Sequence, residues 1–119
     1  MKNILVYGSL RSNSRRGYNY NRFGPQMLLG QDCIIGFQLY SRVNGSYPAA
    51  LYTGNPNDKI VVEAHGVDEK ILQSIFNMEV RAGYTFGSFT TSNIGLTGIM
   101  FYIDNLHKTD MLVQSGDWD

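Results

Sequence analysis

The sequence predicts an α+β domain with a curled or closed sheet. Most of its apolar runs are short, rich in Ile, Val, Tyr and Phe, and separated by clusters of Gly, Asn, Pro and Ser, which is the pattern of strands joined by turns. One segment, Asp68 to Glu79, has helical periodicity instead, and it falls between strands rather than at an end. Thirteen glycines in 119 residues supply tight turns and close backbone approaches, which favour a sheet that bends on itself.

Asn3-Ile-Leu-Val-Tyr7 is β-branched and apolar and reads as a buried strand running into Gly8. Ser9 to Tyr20 is polar and reads as a long loop carrying Arg11, Arg15 and Arg16, which are either solvated or a clamp for an anion. A short helix is compatible with Asn21 to Leu29, interrupted at Gly24-Pro25. Cys33 to Tyr40 is a second strand with Gly36 as a bulge, and Asn44-Gly45 is the strongest turn dipeptide. Tyr47 to Tyr52 is a short strand entered through Pro48, and Gly54 to Asp58 is a turn. Lys59 to Gly66 alternates, with Val62 and Ala64 on one face and Glu63 and His65 on the other. Tyr84 to Thr91 and Thr97 to Ile103 pair as a hairpin. The core is expected over residues 2–103, with a polar tail over 104–119 that holds a weak apolar patch at Met111-Leu-Val113; the whole, 1–119, is one domain.

The helical stretch holds the most informative anomaly. Asp68 is placed to cap its first turn. Ile71, Leu72, Ile75 and Phe76 make one apolar stripe, and Glu79 is the next residue on it. Burial and the negative end of the helix dipole would both raise a carboxyl pKa there, making a proton carrier near neutral pH. If the helix ends one residue earlier, Glu79 turns into solvent, and both readings stay open at this stage.

Composition narrows the function. Ten basic and ten acidic residues leave no net charge, which argues against nucleic acid as the main partner. The single cysteine, Cys33, excludes an internal disulfide and a Cys-based zinc site, and it reads as a small buried hydrophobe. The histidines His65 and His107 have no patterned Asp partner for Ser9, and their spacing is not that of metal ligands. No metal and no cofactor is expected. No run approaches membrane-spanning length and the first residues read as a strand rather than a leader, so a cytoplasmic protein without a membrane partner is expected. Where the first strand ends, Tyr7-Gly8-Ser9-Leu10 presents converging backbone N–H groups and a hydroxyl to a ligand oxygen, although a plain turn has the same pattern.

Together these motifs resemble the γ-glutamylcyclotransferase-like family, and its small γ-glutamylamine cyclotransferase, AIG2-like branch in particular. The resemblance rests on Ile4-Leu-Val-Tyr-Gly-Ser-Leu10, on Tyr47-Pro-Ala49, and on the run from Ile60 through Glu79 followed by Ala82-Gly-Tyr84. It implies a small mixed β-barrel with flanking helices and one pocket. The family's catalytic Glu falls on Glu79, its substrate loop on Tyr7, Gly8, Ser9 and Leu10, and its pocket tyrosines on Tyr47 and Tyr84. The implied reaction is attack of a γ-glutamyl compound's own α-amine on its γ-carbonyl, releasing 5-oxoproline and an amine or amino acid, with Glu79 as base and then acid. Backbone N–H groups of the loop would hold the α-carboxylate or the developing oxyanion. The chain departs from the family pattern at Val62 in place of Gly, a change expected to narrow the pocket, and at His65 in place of Tyr. It departs again at Phe76 in place of Asp and at Phe86 near the place of an Arg. With the basic loop, these departures also admit a binding protein on the same fold, holding an anionic ligand such as a nucleotide without turnover.

Overall fold

The computed structural model describes residues 2–8, 10–11, 26–42 and 47–118. Ser9, Arg15, Arg16 and the Asn44-Gly45 turn lie outside these residues. The elements are β1 (Lys2–Val6), β2 (Met27–Ile35), β3 (Phe37–Arg42), β4 (Tyr47–Tyr52), β5 (Lys59–Val67), α1 (Glu69–Arg81), β6 (Thr85–Thr90), β7 (Thr97–Tyr102) and β8 (Met111–Val113). They form a five-stranded sheet in the order β2-β5-β1-β7-β6 and a three-stranded sheet in the order β4-β3-β8. Only β1 and β7 pair in parallel among the strand ladders, so the sheet is mixed. A parallel bridge between Leu51 and Ile103 links the two sheets, and the chain itself links them again at Gly36. The fold is α+β, with one helix among the described residues where flanking helices are implied by resemblance.

Three expectations change. Met27 to Leu29 belong to β2, not to a helix. Gly36 does not bulge a single strand; at φ +94° it turns the chain out of the larger sheet into the smaller, a conformation that glycine adopts without a Cβ penalty. The segment after Asp104 is also not a tail outside the core. It adds β8 beside β3, and Trp118, 2% exposed, packs among Leu5, Phe37 and Val62.

The position of the site follows from β5, β1 and α1. β5 is antiparallel to β1 and ends at Val67, opposite Lys2. The helix doubles back from there and so runs the same way as β1. From Asp68 to Glu79 a helix advances ~16 Å, and from Lys2 to Tyr7 a strand advances about as far. Glu79 therefore arrives where β1 gives way to Tyr7 and Gly8.

Packing fixes the rotation of the helix. Ile71 and Ile75 are buried against Ile4, Val6, Val67 and Phe101, with Leu72 and Phe76 partly buried beside them. Asp68 caps the helix, its carboxylate accepting from the Ile71 N–H at 2.8 Å, and Arg81 lies in the last turn. Asp68→Ala is expected to cost about 1 kcal/mol of unfolding free energy, read as a lower urea midpoint at unchanged slope.

Candidate active site

A cavity of about 580 Å³ opens where β1, the end of α1 and the ends of β3 and β4 meet. Of the residues singled out in the sequence, Tyr7, Gly8, Leu10, Tyr47, Glu79 and Tyr84 all line it, and Ser9 is not described. Apolar walls come from Ile4, Val6, Ile75 and Phe101.

Glu79 lies inside α1, which continues to Arg81, so its side chain stays on the inward stripe. It is half-buried, and burial pushes its carboxyl up to about 7 from an ordinary 4.5. Its acidic neighbours in the cavity are phenols that stay protonated at neutral pH. Tyr84 is pushed up to about 12 by burial and by the Glu79 charge, and its hydroxyl donates to the Pro48 carbonyl. Tyr7 is raised well above 10 by burial and by the nearby Tyr84 and Glu79.

The Tyr7 hydroxyl is already committed. It donates to the Phe101 carbonyl at 2.7 Å and accepts from the Ala50 N–H at 3.2 Å, joining β7 to β4 across the two sheets. Its part in the cavity is thus a ring wall and an anchor for the loop that follows. Gly8 is fixed by space: a Cβ there would run into the Pro48 ring. Arg11 closes the turn with its N–H on the Gly8 carbonyl at 3.0 Å.

Arg11 is not a solvated loop residue. It is 3% exposed, and its Nη1 donates to Asp117 Oδ1 at 2.6 Å. Its Nε sits 3.9 Å from Glu63 Oε2 and has no hydrogen-bond partner among the described residues. Glu63 in turn contacts His65 Nε2 at 2.9 Å, and Gln26 contacts His65 Nδ1 at 2.6 Å. His65 is fully buried, and burial lowers its pKa below the usual 6.5 despite Glu63. Glu63 and His65 do face away from Val62 and Ala64, as alternation requires, yet both faces of β5 are buried.

The departures from the family pattern fall outside the cavity. Val62 is in the core between the sheets and does not narrow the cavity, and His65 belongs to the buried polar cluster. Phe76 and Phe86 pack edge to face on each other with centroids 4.7 Å apart. An aromatic pair thus stands in the place of the pattern's Asp and near that of its Arg. None of the four lines the cavity.

The sequence reading missed Arg42, Pro48, Met78, Ala82 and His107 as lining residues. Arg42 reaches the cavity from the end of β3 and His107 from the segment before β8, and nothing local in the sequence signals that the two meet there. Cys33 is half-buried with a free thiol, not a core residue. Among the described residues no group of three or more His, Cys, Asp or Glu is arranged to hold a metal ion, and no helix is long and apolar enough to cross a membrane.

A family profile described as "Gamma-glutamyl cyclotransferase, AIG2-like" matches residues 4–119. The chain belongs to that family. No curated protein matches it by sequence. An uncharacterised protein from Pyrococcus horikoshii is 26% identical, with a TM-score of 0.78 over 100% of this chain and 91% of that one. The AIG2-like protein from Mus musculus shares the fold at 18% identity, with a TM-score of 0.74 over 91% of this chain and 80% of that one. A structure described as a gamma-glutamyl cyclotransferase also shares the fold at 15% identity, with a TM-score of 0.69 over 89% and 68% of the two chains.

Proposed function

We propose that this chain is a γ-glutamyl cyclotransferase that needs no cofactor, with Glu79 as its proton carrier. The observation that carries this reading is a half-buried carboxyl with a pKa near 7 in the wall of a cavity that it shares with Tyr7, Gly8 and Leu10. A carboxyl of that pKa is substantially ionised at neutral pH and able to take a proton, yet acidic enough to return it.

The steps balance within the substrate and this one group. The Glu79 carboxylate takes a proton from the substrate's α-ammonium. The freed amine attacks the γ-carbonyl carbon, forming the ring C–N bond and a tetrahedral oxyanion. Glu79 then returns its proton to the departing nitrogen, and the γ-amide C–N bond breaks as the oxyanion re-forms the carbonyl. The ring nitrogen gives its second proton to Glu79 and through it to the released amine, so 5-oxoproline and a protonated amine remain. The apolar walls hold the substrate folded for ring closure, an orientation effect that can dominate such a reaction. Backbone N–H groups about Gly8 and Leu10 would stabilise the oxyanion or hold the α-carboxylate.

The direct test is mass-spectrometric detection of 5-oxoproline from a panel of γ-glutamyl amines, amino acids and dipeptides. Release from none of them would overturn the reading. Gly8→Ala is expected to lower kcat/KM by about 10²-fold while the fold persists, because the new methyl displaces the loop from Pro48. The binding-only alternative loses one of its supports, since Arg11 is held by Asp117 and is not free to clamp an anion.

A further inference from the structure

Arg42 is the one arginine or lysine that lines the cavity among the described residues. Its side chain is only 9% exposed, at the end of β3. Nε donates to both Asp110 oxygens, at 3.1 and 3.0 Å, and Nη2 donates to the Asn105 carbonyl at 3.0 Å. Asp110 also accepts from the His107 N–H at 2.7 Å, so the carboxylate is engaged and the guanidinium plane is fixed. These bonds leave Nη1 without a partner among the described residues. It is not sealed in protein either, since among the described residues the one fully buried side-chain polar atom without a partner is Arg11 Nε.

The cavity has a closed end and an open one. Tyr7, Gly8 and Leu10 are buried, whereas Tyr47, directly opposite Arg42 in the β3–β4 ladder, is 58% exposed, and His107 is exposed too. Arg42 thus stands beside the rim. If ring closure takes place between Glu79 and the Tyr7–Leu10 loop, the departing half of the substrate extends past Arg42.

We propose that Arg42 Nη1 holds a carboxylate on the leaving amine, so that γ-glutamyl amino acids are preferred over γ-glutamyl amines that lack one. The inference rests on the cyclotransferase reading. A carboxylate completes the guanidinium's donors with a charge-assisted bond, and a leaving group without an acceptor leaves a nearly buried donor unpaired. Asp110 sets the plane of the guanidinium and is a positioning residue.

The test compares kcat/KM for γ-glutamyl-alanine and γ-glutamyl-ethylamide on the full chain. A preference of about 10- to 100-fold for the alanine compound, mostly in KM, is expected in the wild type. It should fall to about one in Arg42→Gln/Asp110→Asn, which removes both charges and so leaves no buried carboxylate unpaired. Arg42→Lys, which keeps the charge without the planar fork, should lose most of the preference and decides the matter if the double variant does not fold. 4-Aminobutanoyl-alanine lacks the glutamyl carboxylate and should still respond to Arg42. A response lost on that compound but kept on the ethylamide would place the glutamyl carboxylate on Arg42 and overturn the assignment, as would equal use of both γ-glutamyl compounds by the wild type. If neither compound releases 5-oxoproline and the wider γ-glutamyl panel releases none either, the cyclotransferase reading fails. Calorimetric binding of the same two compounds then decides separately: tighter, Arg42-dependent binding of γ-glutamyl-alanine sustains the carboxylate site, and equal or absent binding overturns it.

Discussion

Glu79→Gln is expected to lower 5-oxoproline release by about 10²- to 10⁴-fold, the range for losing a positioned acid–base group, with KM little changed. Glutamine keeps the shape and the hydrogen-bonding size of the side chain and cannot exchange the proton. The same substitution should raise thermal stability in alkaline solution. A carboxyl raised from 4.5 to about 7 by burial holds its proton more tightly in the folded chain than in the unfolded one. Its contribution to stability is therefore complete below about pH 4.5 and is lost as pH rises through 7. Wild-type protein at pH 8 carries a half-buried carboxylate with no opposing charge of its own. Tyr7 and Tyr84 beside it are neutral, and the Arg42 charge is shared with Asp110. Differential scanning calorimetry should show the Gln variant melting above wild type at pH 8, with the gap closing at pH 5. An equal gap at both pH values would mean that Glu79 is not the group that burial perturbs. Activity surviving at the parent rate would remove it from the mechanism. Loss of activity together with a gain in stability is the usual signature of a group kept for chemistry at the expense of the fold.

What could be read from the sequence was local. The spacing of Ile71, Ile75 and Glu79 on one stripe needs only 3.6 residues per turn, and the observed helix keeps that stripe inward through Glu79. Tyr7 to Leu10 could be placed because a buried strand running into Gly8 is a local pattern. What could not be read depends on contacts far apart in sequence. Gly36 looks like a bulge until β3 is seen pairing with β4 and β8 in another sheet. Trp118 gives no signal of joining Leu5 and Phe37, because a lone aromatic near a chain end has no period. Asp32 falls just before the strand read over Cys33 to Tyr40 and gives no signal of its own. It is in fact buried, and N–H groups of Cys33, Asn93 and Ile94 hold it well below the usual carboxylate range despite that burial. Arg42 enters the cavity from β3 and His107 from the segment before β8, and Arg11 leaves the solvent through Asp117, none of which the order of charges in the sequence signals.

Arg11→Met is expected to cost about 3–5 kcal/mol of folding stability, the range for removing one partner of a buried ion pair. Methionine fills much of the volume, so the loss is chiefly electrostatic. Glu63, 1% exposed, would lose the Arg11 charge that lies 3.9 Å away, and burial holds His65 neutral at pH 7 and above. The pH dependence separates this from simple loss of packing. In the parent protein the His65 pKa is depressed, so the stability that depends on its being neutral is present above about 6.5 and fades as pH falls through that value. In the variant Glu63, 2.9 Å from His65 Nε2 and without the Arg11 charge, would draw a proton onto the imidazole more strongly and raise its pKa. The stability deficit should therefore be largest near pH 8 and shrink near pH 5.5, measured as urea midpoints at the two pH values. A deficit independent of pH would assign the loss to packing and remove Glu63 and His65 from the account. No deficit at either pH would mean that Arg11 does not hold the loop. The loop is the functional link, since Arg11 ties the turn at Gly8 to Asp117 near the chain end. A folded Arg11→Met protein should therefore also show a raised KM for its γ-glutamyl substrate, with the pKa of Glu79 read from the kcat profile left in place.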